Sequence, residues 1–336
     1  MSRNHLKFII RVVLGVMFLL VPFTSVKSQP NTFIYIPLIV KQGDLWVNTL
    51  DRDVSLAYYQ ENYLLSEPPD INWMGSYTSC DPGTTDPDFK QAVLQRVNYF
   101  RGMAGVSDEV TFSDESNEKA QAAALVMSVN EALSHELNDE WTCYSPLADE
   151  GAGSANIALG VYGWDAIDLY MMDSGAGNDA VGHRRWILNP RTQIMGTGDI
   201  PPTNEYLPSN ALVVFDSHIW DERPDTRDDF VAWPPPGYVP FPVVYTRWSF
   251  SYPGADFSQA SVSMLSDDLT LAISQADPYY GYGENTIVWQ IEGMSSGADW
   301  PQPNEDTTYT IDITDVLIDE ELQDFSYQVI VFDPDS

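Results

Sequence analysis

After its first 28 residues the chain has no hydrophobic run long enough to span a membrane, which needs about 20 apolar residues. The beginning is different, because Arg3, Lys7 and Arg11 accompany the apolar stretch 12–23 and Val26 and Ser28 fit the small-residue pattern of a cleavage site. We interpret residues 1–28 as a signal peptide cut after Ser28. The sequence therefore predicts a secreted, extracellular protein with no membrane span after signal removal.

Cysteine is almost absent, with only Cys80 and Cys143 among 336 residues. Two thiolates cannot complete a four-cysteine zinc site, and a redox pair is the less favoured alternative in an oxidising compartment. We expect a Cys80–Cys143 disulfide, which would stabilise the fold by about 4 kcal/mol in the chain-entropy estimate.

Basic residues are scarce as well. The chain has 16 Lys and Arg against 49 Asp and Glu, with a formal net charge of −33. Phosphate backbones and anionic lipid surfaces repel such a chain, so nucleic acid is excluded as a partner class. A solvated acidic surface is the favoured interpretation of the charge, and weak cation binding is the alternative.

The common catalytic fingerprints are also missing: there is no phosphate loop, no dinucleotide fingerprint and no serine nucleophile elbow. Glu136 follows His135, as in a metalloprotease helix, but position 139 is Asp and the second histidine of that motif is absent. The sequence therefore offers none of these common enzymatic motifs.

Helical periodicity is clearest in the first half of the chain. Residues 29–79 form a lead-in with a strand at 33–40 and a helix around 45–65. Asp86 and Pro87 predict a helix start, with the helix ending at Gly102 and Gly105. An alanine-rich helix is predicted over 117–134, so that its last turn delivers His135.

The following segments are shorter. We predict a glycine-rich loop over 151–160, a helix beginning at Asp165, and strands at 194–198 and 211–217. The segment 233–237, Trp-Pro-Pro-Pro-Gly, is too stiff for a helix or a central strand and is interpreted as a domain boundary. Beyond it, alternating polar and apolar residues predict an antiparallel β-sandwich over 233–336.

Four motifs occur in a fixed order between residues 94 and 190. They are Leu94-Gln95-Arg96-Val97-Asn98 with Arg101 and Gly105, Leu133-Ser134-His135, Asn156-Ile157-Ala158, and Gly182-His183-Arg184 with Ile187-Leu188-Asn189-Pro190. In this order the chain resembles the CAP superfamily of cysteine-rich secretory, antigen 5 and pathogenesis-related 1 proteins (SCP-like domain), in its cysteine-poor bacterial branch. The resemblance implies an α+β fold, with a CAP-type α-β-α sandwich over 80–232 before the β-sandwich.

The resemblance also implies a shallow cleft in which two histidines and two acids hold zinc or another divalent cation. His135 and His183 match the histidines, whereas Ala155 replaces one acid. Asp168 and Asp173 are the candidates for the other acid, and Asn156 and Arg184 belong to the same cleft. The structural alternatives are a helix cap for His135, a hydrogen-bonding role for His183, a solvated position for Asp168, a turn brace for Asp173 and a carbonyl or carboxylate brace for Arg184.

Three functions follow as hypotheses. The first is a non-catalytic or weakly catalytic CAP-domain binding module for a small apolar ligand or an extracellular or cell-surface partner. The second is a metal-dependent hydrolase, in which zinc on His135 and His183 activates water and Asp168, Asp173 or Glu136 handles the proton. The third is a structural cell-surface protein, with the β-sandwich as an adhesion spacer.

Overall fold

The computed structural model describes residues 46–64, 69–267, 269–281 and 283–336. The predicted signal peptide over 1–28 and the predicted strand over 33–40 lie outside these residues. Within the described part of the chain, no helix is sufficiently long and apolar to cross a membrane.

In the described residues, α-helices occur only before residue 190. They are α1 (Arg52–Asn62), α2 (Pro87–Met103), α3 (Asp114–Asn130), α4 (Pro146–Gly153), α5 (Trp164–Met172) and α6 (Gly182–Ile187). The strands are β1 (Thr111–Phe112), β2 (Ala155–Leu159), β3 (Ile194–Ile200), β4 (Ser209–Val213), β5 (Val231–Trp233), β6 (Gly237–Pro240), β7 (Arg247–Tyr252), β8 (Ser261–Ser266), β9 (Leu269–Thr270), β10 (Ile273–Gln275), β11 (Asn285–Ile291), β12 (Thr307–Ile318) and β13 (Glu321–Phe332). This mixture confirms the α+β class.

The start of α2 is as predicted. Asp86 is the N-cap and accepts a hydrogen bond from the backbone N–H of Asp88, while Pro87 occupies the first helical position. The helix ends at Met103, one residue beyond the expected Gly102, and Gly105 then adopts a positive φ of 73°. Glycine tolerates this left-handed conformation without the steric cost of a Cβ.

The alanine-rich helix differs from its prediction at both ends. It begins at Asp114 behind an N-cap serine, Ser113, and it ends at Asn130 because Glu131 adopts the left-handed conformation. The expectation that the last helical turn delivers His135 is therefore wrong. His135 lies in the following loop, where Ser134 bonds to the backbone of Glu136.

The predicted loop over 151–160 is also wrong, since these residues contribute the end of α4 and all of β2. Small residues serve close packing here. A Cβ on Gly151 would lie 2.2 Å from the backbone oxygen of Lys119 in α3, and a Cβ on Gly198 of β3 would lie 2.1 Å from the backbone of Ala120. Contacts this short are sterically forbidden, so glycine lets α3 approach both elements closely.

Helices cover both faces of the first sheet, which has the strand order β1-β3-β4-β2. Side chains alternate across a strand, so Ala211 and Val213 of β4 join the buried cluster of α3 and α4, whereas Leu212 joins the cluster of α2 and α5. The two layers of helices with a sheet between them are the α-β-α sandwich expected for residues 80–232.

The rest of the chain forms two packed sheets, β10-β11-β7-β5 and β6-β13-β12-β8-β9. Trp248 and Trp289 pair across strands and are buried, as the β-sandwich prediction requires. One detail differs, because β6 runs parallel to β13. This pairing is possible because 80 residues separate the two strands, so no tight hairpin joins them.

The buried cluster of α2 and α5 continues into the β-sandwich. Phe100 of α2 contacts Trp233 edge to face at 5.1 Å between ring centroids, and both side chains are fully buried. The lead-in helix also joins this region, since the Ser55 hydroxyl donates to the Tyr238 carbonyl at 2.7 Å. The domain boundary expected at 233–237 stays a prediction.

The Cys80–Cys143 disulfide is confirmed. It closes a sequence separation of 63 residues and ties the segment before α2 to the loop between α3 and α4.

Candidate functional site

At the C-terminal end of α5, three candidate residues, Asp173, His183 and Arg184, are joined by hydrogen bonds. Asp173 follows the last helical residue in the left-handed conformation with φ of 52°, and its side chain is completely buried. Its carboxylate accepts hydrogen bonds from the backbone N–H groups of His183 at 2.9 Å and Arg184 at 3.3 Å. The first N–H groups of α6 have no partner within the helix, and the N-cap residue of α6, Val181, has no side-chain acceptor for them. The Asp173 carboxylate supplies that acceptor.

The same carboxylate orients the His183 ring. Nδ1 of His183 lies 2.7 Å from Oδ1 of Asp173, and because a carboxylate only accepts, Nδ1 carries the proton. The His183 side chain is 25% exposed, and within the described part of the chain its Nε2 makes no hydrogen bond.

Asn156 and Tyr170 support His183 from the sheet side. The Asn156 carboxamide donates to the His183 carbonyl at 3.0 Å, and the Tyr170 hydroxyl donates to the Asn156 carbonyl at 3.1 Å. The rings of Tyr170 and His183 lie 5.4 Å apart between centroids. Burial raises the pKa of Tyr170, so the phenol stays protonated and remains a donor.

Two buried arginines join this site to the β-sandwich. Arg184 donates to the carbonyls of Met171 at 2.7 Å and Arg247 at 2.8 Å, and to the Ser249 hydroxyl at 3.1 Å. In return Arg247 donates to the carbonyl of Asp173. Burial lowers the pKa of Arg184 to about 10, which still leaves it charged at neutral pH. Arg184 is thus a carbonyl brace, as in its structural alternative.

His135 is anchored on a neighbouring segment. Its Nδ1 lies 2.8 Å from the Ala152 carbonyl, near the end of α4, so this nitrogen is also the donor and Nε2 is again free. Asn156, which bonds to His183, is four residues further along the chain. Segment 152–156 therefore contacts both histidines. Glu136, the remaining catalytic candidate, is exposed in the loop next to His135.

Ala155 belongs to the same segment, but its side chain lies on the opposite face of β2 from that of Asn156. It is buried in the cluster of α3 and α4, in register with Val213 of β4. Adjacent residues of a strand point to opposite faces, so Ala155 and Asn156 face opposite layers. An acid at position 155 would enter an apolar layer.

The structure does not bring Asp168 to either histidine. Its carboxylate pairs with Arg96 of α2 and accepts a hydrogen bond from the Tyr63 hydroxyl at 3.2 Å. Burial raises the pKa of Asp168 to about 6, against the opposing effect of Arg96. The physical reason is visible in the contacts, since Oδ1 is buried without a hydrogen-bond donor.

A zinc ion needs three or four protein ligands. Among the described residues, no group of three or more His, Cys, Asp and Glu side chains is arranged to hold a metal ion. A three-ligand zinc centre therefore does not fit these side chains. Cation binding by His135 and His183 alone stays a prediction.

Three residues at this site were missed by the sequence analysis. Trp186 and Phe215 have ring centroids 4.1 Å apart, and Phe215 is 38% exposed. Arg247 lies 64 residues after His183, so no local pattern could have associated the two. The helical spacing of His183 and Trp186, three residues apart, was a usable signal because such residues share one helix face.

Comparison with known proteins identifies the first half of the fold. Residues 94–213 match the CAP family model, described as the cysteine-rich secretory protein family. No curated protein matches the chain. Among solved structures, the chain is similar to CopC from Methylosinus trichosporium OB3b, at 13% sequence identity over 30% of this chain and 89% of that chain, with a TM-score of 0.22. That likeness is too low to carry an argument. The family match covers α3 to α6, all four strands from β1 to β4, and both His135 and His183, and by this match residues 94–213 form a CAP domain.

Proposed function

We propose that the protein is a secreted CAP-domain binding module that recognises an extracellular protein through the surface formed by His183, Trp186 and Phe215. The observation that carries this proposal is that Asp173 orients His183 on the same short helix as Trp186, whose ring contacts the partly exposed Phe215. Partly exposed aromatic side chains next to a directed polar group are typical of the residues that dominate binding energy at protein interfaces.

Secretion is part of the proposal. It is supported by the signal-like start of the sequence and by the Cys80–Cys143 disulfide, because disulfides persist in oxidising compartments outside the cytosol. The charge of the chain also limits the partner, because a net charge of −33 favours neutral or basic proteins over acidic ones.

A protein partner is favoured over a small apolar ligand by the shape of the surface. Small-molecule sites enclose about 70–90% of their ligand. Here His135 is exposed, His183 is 25% exposed and Phe215 is 38% exposed, so the described side chains form an open surface. The hydrolase alternative is not advanced because the described side chains do not assemble a three-ligand metal site.

Site-specific photocrosslinking tests the proposal. A photoreactive phenylalanine analogue is introduced at Phe215 and, as a control, at Leu322, which is 59% exposed on β13 of the β-sandwich. The full chain is added to the cells that secrete it. We expect a discrete protein adduct from position 215 that is absent from position 322 and is lost in the His183→Ala variant.

Three other results would overturn this assignment. Equal adducts from both positions would indicate the structural, adhesive alternative. An adduct of small-molecule mass would replace the protein partner with an apolar ligand. An adduct that persists in His183→Ala would separate the partner surface from the histidine.

A further inference from the structure

A groove of about 480 Å³ lies between the CAP domain and the β-sandwich. One wall is the turn after Asp173, which includes Gly175 and Asp179, and the floor is the sheet formed by β10, β11 and β7. This volume is within the range of about 300–1,000 Å³ that is usual for small-molecule sites. The wall lies within residues 94–213, which match the CAP family, whereas the floor lies beyond them in the β-sandwich.

Strand register decides which side chains form the floor. Ser274 of β10 is paired with Gln290 of β11, which is paired with Arg247 of β7. These three polar side chains therefore lie in one row across the sheet. The next row along, with Trp248 and Trp289, points to the opposite face and into the sandwich core. Exposure increases along the polar row from buried Arg247 through half-buried Gln290 to exposed Ser274.

The charges in the groove cancel. Arg247 forms an ion pair with Asp179, and its guanidinium also donates to the carbonyls of Asp173 and Gly175, the latter at 2.8 Å. These bonds fix the guanidinium as part of the wall. Because its charge is already paired and the chain as a whole is strongly negative, an anionic ligand is disfavoured here. The balance of one positive and one negative group suits a neutral ligand.

Several polar groups remain available. Within the described part of the chain, the hydroxyls of Ser274 and Ser295 make no hydrogen bond to protein, and the Gln290 carboxamide has a single long contact of 3.5 Å to the Met294 carbonyl. Hydroxyls and carboxamides both donate and accept hydrogen bonds. Closely spaced groups of this kind match a ligand with neighbouring hydroxyls, while Val288 and Met294 offer apolar contact for C–H groups.

We propose that this groove binds a neutral, polyhydroxylated ligand, namely a segment of an uncharged oligosaccharide. The ligand lies across the row Ser274, Gln290 and Arg247, exchanges hydrogen bonds with the first two side chains, and contacts the turn at Asp179. This site is distinct from the His183 surface, because the Asp173 side chain faces His183 while the groove begins at Gly175.

Isothermal titration calorimetry with the full chain tests this assignment. The probes are maltohexaose, cellohexaose and N-acetylchitohexaose, each at millimolar concentration. We expect at least one to bind wild-type protein, and the double variant Ser274→Ala, Gln290→Ala to bind it at least about tenfold more weakly, as expected for the loss of two hydrogen bonds. The matched control is Gln323→Ala, an exposed glutamine on the other sheet, which should bind like wild type.

Thermal unfolding of each variant ensures that weaker binding is not a loss of fold. The assignment is overturned if none of the three oligosaccharides binds folded wild-type protein, or if the double variant binds as tightly as wild type. It is also overturned if an extended peptide binds in their place along the free edge of β10. Unchanged oligosaccharide binding in His183→Ala would show that this site does not depend on the partner surface proposed above.

Discussion

Two acids at α5 have different environments: Asp168 is partly buried and Asp173 is fully buried. Asp168, in the body of the helix, pairs with Arg96 and Tyr63, whereas Asp173, directly after the helix, is the acceptor for His183 and Arg184. Both residues were candidates for the same cleft. Asp173 lies just past the helix in the left-handed conformation, so its side chain does not continue the helix face that carries Asp168.

The comparison shows that the local environment decides whether a carboxylate mainly affects stability or mainly orients a side chain that can bind a partner. Asp168 is held by an internal ion pair with one oxygen unsatisfied, and its pKa is raised to about 6. Asp173 has hydrogen-bond donors on both oxygens and directs a partly exposed histidine. We therefore expect changes around Asp168 to alter mainly the free energy of unfolding, and changes around Asp173 to alter mainly the state of His183.

The largest effect should come from Arg96→Leu. Removing one member of a buried ion pair leaves an uncompensated charge, so we expect the free energy of unfolding to fall by about 3–5 kcal/mol at pH 8. Urea denaturation measures this loss. Lys119→Met is the control, because Lys119 pairs with the exposed Glu115 and Glu150 and should cost about 1 kcal/mol or less. Similar losses in both variants would remove the distinction between the buried and the surface pair.

The second effect is the pH dependence contributed by Asp168. Its folded-state pKa of about 6 is above the ordinary value of 3.8, so between these values the folded state binds more protons than the unfolded state. Stability from this group therefore falls as pH rises from about 4 to about 6, by about 3 kcal/mol in total. Asp168→Asn should remove that slope from the pH profile of urea denaturation. A parallel profile in the variant would contradict the raised pKa.

A third, smaller effect is expected at the other end of α5. Arg247→Met removes donors from the buried Asp173 carbonyl and from Gly175, which should cost about 2 kcal/mol and loosen Asp173. NMR of the His183 ring should then show faster solvent exchange of the Nδ1 proton. Asp179→Asn is the control, because its carboxylate is 67% exposed and its loss should leave that proton unchanged. Slow exchange in Arg247→Met would mean that the β-sandwich does not position His183.

The smallest effect concerns cation binding by the two histidines. Zinc at about ten times its dissociation constant should stabilise the wild type by about 1.4 kcal/mol, seen as a rise in melting temperature. The rise should fade as the pH falls, because only neutral imidazole coordinates a metal. It should disappear in the double variant His135→Ala, His183→Ala and persist in the control His218→Ala. A zinc response retained in the double variant would assign the binding to the acidic surface.

Ala155→Glu would not strengthen that response. The family resemblance suggested that an acid at this position restores a metal ligand, but Ala155 is buried in the layer of α3 and α4. A glutamate there would be destabilising, because burying an unpaired charge is costly.

Local signals in the sequence determined much of the first half of the fold. Asp86 and Pro87 marked the start of α2 because capping and proline preferences act on neighbouring residues. In the second half, alternating polar and apolar residues predicted the β-sandwich, and the two cysteines predicted the disulfide. The motif order around His135, Asn156 and His183 placed the chain in its family, as the match over residues 94–213 confirms.

Other features were decided only by tertiary structure. The end of α3 depends on Glu131 in a left-handed conformation, and the residues expected as a loop became α4 and β2 because their small side chains pack against α3. Asp168 pairs with Arg96 because its face of α5 packs against α2. The position of Asp173 depends on Arg247 of the β-sandwich, which donates to its carbonyl. Capping and periodicity are interactions between near neighbours in sequence, whereas burial and pairing of charges join residues tens of positions apart, and only the folded chain brings those together.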